Sequence, residues 1–343
     1  MLKPHAAALT GSLLGALALL SGAGTSAFAE TRPDRSSWQE KFRRPAEILF
    51  PASNPYSEAK SKLGRTLFFD PILSGSKARS CATCHNPGLS WADGQPRAIG
   101  EKQLPLRSPT LLNIAWIPKL GWDGHFRDLE AVAFGPILSP ANMNITEKAL
   151  IERLSAIPGY VEAFEKAFGK GDITRQKIEL ALATFERSIV SSEAPFDRWI
   201  KGSEGAIDAS AKRGFDLFVG KAHCVSCHSG WDFTDASFHD IGTASNGDVG
   251  RGNLFPTSVK LHFAFKTPTL RDVTRRAPYM HDGSIKTIEA VIDLYDRGGI
   301  DRPSRSELIF PLGLTKDEKA DLIAFLQTLN GAPEHAPVPT LPR

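Results

Sequence analysis

The chain has 343 residues, 41% of them hydrophobic, and its 41 Lys and Arg against 38 Asp and Glu leave a net charge of only +3. So small an excess gives no basis for a nucleic-acid or anionic-lipid surface. The length suits one large domain or two smaller ones, and 29 glycines with 24 prolines predict long ordered loops between the elements.

The first 29 residues read as a cleaved secretory leader. Lys3 precedes an apolar stretch from Ala6 to Leu20, and Ala27-Phe28-Ala29 forms an A-x-A cleavage site before Glu30. Thr10, Gly11, Ser12 and Gly15 interrupt the apolar run, which is shorter than the roughly 20 residues a membrane span needs. The expected location is the periplasm, with no membrane span. A helix is expected from Ser57 to Phe69, ahead of the first of two matching pentapeptides, Cys81-Ala82-Thr83-Cys84-His85.

The second pentapeptide, Cys224-Val225-Ser226-Cys227-His228, uses the two remaining cysteines of the chain. Cys-x-x-Cys-His is the attachment signature of c-type haem: two thiols bind the porphyrin vinyl groups and the adjacent imidazole coordinates iron. A redox Cys-x-x-Cys pair would not need the histidine, and zinc would draw its ligands from a more compact segment. Two covalent haems are therefore expected, one at Cys81, Cys84 and His85 and one at Cys224, Cys227 and His228. Between the motifs, helices are expected over Thr146 to Ile157, Tyr160 to Phe168 and Thr174 to Val190, the last with Ile178, Leu182, Phe185 and Ile189 on one face.

A further helix is expected over Asp208 to Phe218, and two more follow the second motif, over Ile285 to Arg297 and from the capping box Thr315-Lys316-Asp317-Glu318 to the stop at Gly331. Alternating strand patterns are scarce, so the expected class is all-α. The residues from 332 to 343 hold four prolines and read as an extended tail.

An internal repeat surrounds the motifs. Ser108-Pro109-Thr110-Leu111, Trp122-Asp123-Gly124 and Glu130-Ala131-Val132 follow the first. Thr267-Pro268-Thr269-Leu270, His281-Asp282-Gly283 and Glu289-Ala290-Val291 follow the second, in the same order. The expected domains are 30–200, carrying the first haem, and 201–331, carrying the second. Fourteen residues after His281 stands Tyr295; fourteen after Trp122 stands Pro136, which cannot bind iron. By that register the haem at His228 is closed and the haem at His85 open, if Tyr295 is a ligand and not a core tyrosine. His239 and His262 are rival ligands that no spacing selects.

These residues, with Leu63-Gly64-Arg65, Leu67-Phe68-Phe69-Asp70, Arg107-Ser108-Pro109-Thr110, Ala194-Pro195-Phe196-Asp197 and Ala277-Pro278-Tyr279, give a chain that resembles the bacterial dihaem cytochrome c peroxidase and MauG family over nearly its whole length after the leader. The resemblance implies a periplasmic enzyme using hydrogen peroxide at the N-terminal haem, with the second haem reached through a tryptophan whose place Trp122 takes. It implies a redox partner, either a small cytochrome c or cupredoxin or an oxidised protein substrate, and it allows a homodimer. Tyr295 stands where the peroxidases have methionine and MauG has tyrosine, a hard anionic donor that favours ferric iron.

Departures from the family pattern are equally specific. Glu101 takes the place of the loop histidine, Asn142 that of the distal glutamate and Val132 that of the distal glutamine, while Pro136 matches the proline above the open haem of MauG. An amide cannot exchange protons, which leaves Glu101 as either the replacement acid or a solvated loop glutamate beside Lys102, with Glu130 weaker because Glu289 repeats it. Arg107 and Arg276 match positions that supply oxygen ligands to a calcium between the haems, and a guanidinium cannot coordinate calcium, so that site is expected to be lost, the arginines either meeting haem propionates or lying at the surface. The two other functions left open by the sequence are peroxide removal with electrons from a small redox protein and non-catalytic electron carriage.

Overall fold

In the computed structural model, residues 35–243, 247–333 and 336–342 are described, so the expected leader lies outside them. Short polar caps start most helices. After α1 (Arg35–Lys41), the Ser57 hydroxyl accepts from the Lys60 amide and opens α2 (Glu58–Phe69). The first haem motif forms the single turn α3 (Cys81–Cys84). Asp128 caps α4 (Leu129–Leu138), Thr146 caps α5 (Glu147–Ser155), Pro158 begins α6 (Pro158–Phe168), and Thr174 caps α7 (Arg175–Arg187).

The second half repeats this pattern with fewer helices. After α8 (Pro195–Ile200) come α9 (Ala209–Val219), capped by Asp208, α10 (Ile288–Asp296), capped by Thr287, and α11 (Lys316–Gln327), with the expected capping box between Thr315 and Glu318. The all-α expectation needs one correction. β1 (Phe238–His239) and β2 (Phe265–Lys266) pair antiparallel, Phe238 with Lys266 and His239 with Phe265, in the loop after the second motif. Two-residue strands leave too short an alternation to be seen in sequence.

Each haem motif sits beside a helix pair that crosses at glycine. In α2, a Cβ on Gly64 would stand 1.9 Å from the Ala181 carbonyl oxygen of α7; in α9, a Cβ on Gly214 would stand 1.9 Å from the Asp321 carbonyl oxygen of α11. Only glycine allows either backbone approach. Phe185 and Phe325 lie next to the two crossings. Around the first pair, Leu63, Leu67, Phe68, Leu182 and Phe185 form a core against which Cys81 and Ala82 pack; around the second, Phe215, Phe218, Leu322 and Phe325 form another, in contact with Cys224 and Val225.

Polar contacts join the halves. Asn113 donates through its amide group to Ser191 and to the buried Asp232, which also accepts from the Thr269 hydroxyl. Arg271, fully buried, makes a two-pronged contact with Asp197 at 2.9 and 2.8 Å, so the charges are desolvated together. In the proline-rich tail, Pro337 accepts from Arg65 at 2.7 Å and Pro342 lies against Gly159, so the described part of the tail runs along the first half. Among the described residues no helix is long and apolar enough to cross a membrane.

Candidate haem sites and the space between them

The two motif histidines are oriented alike. His85 Nδ1 lies 3.4 Å from the Trp91 carbonyl oxygen and His228 Nδ1 lies 2.9 Å from that of Phe233. A carbonyl can only accept, so Nδ1 carries the proton and Nε2 keeps its lone pair. Burial lowers the pKa of both imidazoles and favours the neutral form that binds iron. Carbonyl contact at the far nitrogen is the usual way to fix the ring of a metal-binding histidine.

Around the second motif lies a cavity lined by Cys224, Cys227, His228 and Tyr295, with Trp122 also on its wall. The structure thus brings together the attachment pair, the proximal histidine, the expected second ligand and the expected relay. Tyr295 comes from the last turn of α10, and burial, followed by the nearby Cys224 and Cys227, pushes its phenol pKa well up. An ionised phenol here would need a cation in the cavity, which a bound ferric haem would supply.

The cavity is also lined by three buried cations, Arg107, Lys266 and Arg276, and among the described residues no carboxylate forms an ion pair with any of them. Nε of Arg107 and Nε of Arg276 are buried without a partner, and burial brings Lys266 down to about 8 and Arg276 to about 10. Backbone carbonyls accept from all three, but without a counter-ion their burial is still costly, and an anionic occupant would offset that cost. A porphyrin attached at Cys224 and Cys227, with its two propionates among these cations, fits the donor set. Lys266 is a residue that sequence reasoning missed, because nothing in its local pattern signals burial.

Trp122 donates its indole N–H to the Arg107 carbonyl oxygen at 3.0 Å, and its own carbonyl accepts from the Lys266 amide at 2.8 Å. The indole is thereby held to the segment after the first motif, and the main chain of Trp122 to the sheet after the second. His281, its counterpart in the repeat, is buried and stacks on Phe265 with ring centroids 3.6 Å apart. His239 also lines the cavity, but its Nε2 is engaged with Asp235 at 2.8 Å, and that contact raises its pKa to about 10. His262 is turned to the Pro256 carbonyl oxygen. Cys227, Asp235 and His239 lie close enough to hold a metal ion, but thioether formation at Cys227 removes its thiolate.

At the first motif, the loop carrying Glu101 lies against the segment carrying Asn142. The Glu101 amide donates to the Asn142 carbonyl oxygen at 2.8 Å, and the Lys102 amide to that of Ala141 at 3.0 Å. The Glu101 carboxylate accepts from the Ser76 hydroxyl at 2.6 Å and lies 3.9 Å from Arg79. Glu130 instead makes a two-pronged contact with Arg187, at 2.6 and 2.8 Å, and accepts from Asn54, a structural tie between α4 and α7. Pro136 lies inside α4, and the Met143 amide donates to its carbonyl oxygen. Glu186 is a second residue that the sequence did not single out: its carboxyl is buried, one oxygen has no partner, and burial raises its pKa to about 8.

Comparison with known proteins places the chain in a family. Residues 58–205 match the model of the di-haem cytochrome c peroxidase family and residues 211–330 that of cytochrome c. The methylamine utilization protein MauG of Methylorubrum extorquens is 48% identical over 331 residues, covering 95% of this chain and 94% of that protein. The chain belongs to the dihaem cytochrome c peroxidase and MauG family. The cytochrome c551 peroxidase of Pseudomonas aeruginosa is 32% identical, covering 96% of this chain and 94% of that protein. A MauG-like protein associated with microbial copper homeostasis has a crystal structure matching at a TM-score of 0.79 and 29% identity, over 85% of this chain and 96% of that one. As a dihaem peroxidase and MauG family member, this chain is a peroxide-dependent oxidoreductase with two covalently bound haem c groups in two cytochrome c-like domains.

Proposed function

We propose that the protein is a periplasmic MauG-like oxidoreductase in which hydrogen peroxide reacts at the site of His85, and Trp122 shares the oxidising equivalents with a closed site held by His228 and Tyr295. The observation that carries this reading is the common cavity wall of His228, Tyr295 and Trp122. When bound, the haems supply iron that exchanges single electrons and, at the open site, a centre on which the O–O bond breaks. The net reaction takes two electrons and two protons per peroxide and yields two waters, the electrons coming from a partner protein that is oxidised.

The chain's own residues divide the remaining work. His85 and His228 hold their ligand nitrogens in place through the Trp91 and Phe233 carbonyls. Tyr295 provides a phenolate that favours the ferric state, which suits withdrawal of electrons from a substrate better than relay of electrons from a small cytochrome. Asn142 cannot move a proton, and Glu101, tied by its backbone to Asn142, takes the acid function in this reading. Peroxidase relatives support a second reading, removal of peroxide with electrons from a small cytochrome c or cupredoxin; Tyr295 is the residue that disfavours it.

Peroxide added to the resting holoprotein without reductant separates the two. The proposed function predicts that the protein stores two oxidising equivalents for far longer than mixing takes, that Trp122→Phe shortens this storage, and that Glu101→Gln slows its formation on the order of a hundredfold, the scale of a lost general acid. Turnover that begins only after one-electron reduction would favour the peroxidase reading. An unchanged rate in Glu101→Gln would remove that residue from the mechanism.

A further inference from the structure

Arg107 and Arg276 do more than line the cavity. The Arg107 guanidinium donates to the carbonyl oxygens of Pro278 and Arg276, the second at 2.9 Å. The Arg276 guanidinium donates through one nitrogen to those of Thr269 at 2.6 Å and Arg271 at 2.8 Å. Four backbone carbonyl dipoles thus point at two buried cations at the junction of the two halves. Converging carbonyls are the donor set of a hard metal ion, yet here their lone pairs face N–H groups, and a guanidinium has no lone pair with which to share a metal. The residues do not fit the calcium that the family resemblance places at this junction.

We propose that the Arg107 and Arg276 pair is a built-in replacement for a bound cation, and that Arg107 is the positioning residue for Trp122. Arg107 is suited to both roles because its main chain and side chain work in opposite directions. Its carbonyl oxygen holds the Trp122 indole, its amide donates to the His281 carbonyl oxygen, and its guanidinium grips the Arg276–Pro278 segment. One residue therefore fastens the expected relay to the wall of the second haem site. A metal ion in the same place could be lost to a chelator or to acid; a side chain cannot. The cation replacement stands by itself, whereas the positioning role rests on the proposed relay through Trp122.

The two parts are tested separately on the holoprotein. After treatment with EGTA and gel filtration, metal analysis is expected to find no stoichiometric calcium, and the thermal midpoint and both haem absorption spectra are expected to be the same in EGTA and in millimolar calcium chloride. About one calcium per chain, removed by EGTA with a change in midpoint or spectra, would overturn the replacement. For the second part, the rate of electron exchange between the haems is measured after flash reduction in Arg107→Gln and Arg107→Lys. The expected result is a fall on the order of tenfold in the glutamine variant, partly recovered by lysine, with haem attachment intact in both. An exchange rate in Arg107→Gln equal to that of the parent would refute the positioning role and leave the calcium result standing. Loss of exchange in Trp122→Phe, measured alongside, is the control for the relay: if it is absent, the relay reading fails and the positioning role falls with it.

Discussion

Glu186 is buried on α7 beside Arg187, and one of its carboxyl oxygens has no hydrogen-bond partner. Burial raises its pKa from an ordinary 4.5 to about 8, the charge on Arg187 opposing the shift and that of Glu130 adding to it. Because the folded-state pKa lies above the unfolded one, the folded protein holds this proton more tightly. The contribution to stability is complete below about pH 4.5 and is lost as pH rises to about 8. Glu186→Gln, neutral at every pH, is expected to gain thermal midpoint relative to the parent across that interval, with the gap widest at the alkaline end. A gap that does not change with pH would show that Glu186 ionises without penalty. Residues of this kind were invisible in the sequence, since Glu186 and Lys266 look like any helix or strand charge until tertiary packing removes their solvent. Trp122 and Tyr295 stand out in the sequence through the matching blocks and the family resemblance, and both line one cavity.

At the scale of elements, the crossings of α2 with α7 and of α9 with α11 set how close each helix pair comes. Gly214→Ala is expected to lower the stability of the holoprotein by about 2 to 3 kcal/mol, because the added methyl must displace the Asp321 backbone and cannot be accommodated by a rotamer change. Equilibrium denaturation with both haems attached measures it, and a loss below about 0.5 kcal/mol would show that the crossing has slack. Seven expected helices match α2, α5, α6, α7, α9, α10 and α11, each carrying a periodic apolar face or a polar cap that local chemistry makes visible. The sequence reading did not recognise α4. It is apolar nearly all round and contains Pro136, so it has no periodic stripe and carries an internal helix breaker; what holds it is packing of Phe134 and Ile137 in the first core and the Glu130 contact with Arg187. The short α1 and α8 are held by tertiary aromatic contacts of Phe42 and Phe196 just after and within them.

At the scale of the whole molecule, two similar halves carry sites with different futures. Both have a carbonyl-anchored histidine, a glycine crossing, a buried threonine that bonds its own loop and a residue in the left-handed region, Asn113 or Asp272, just before a short helical turn. They differ where α10 presents Tyr295 and α4 presents Pro136, and where Trp122 and His281 occupy matching places. In the proposed function that difference makes one site peroxide-reactive and the other closed. Electron paramagnetic resonance of the resting, fully oxidised holoprotein tests it most directly. One high-spin ferric haem and one low-spin ferric haem are expected in equal amounts, with Tyr295→Phe converting only the low-spin signal. Two low-spin haems, or a low-spin signal that survives Tyr295→Phe unchanged, would contradict it.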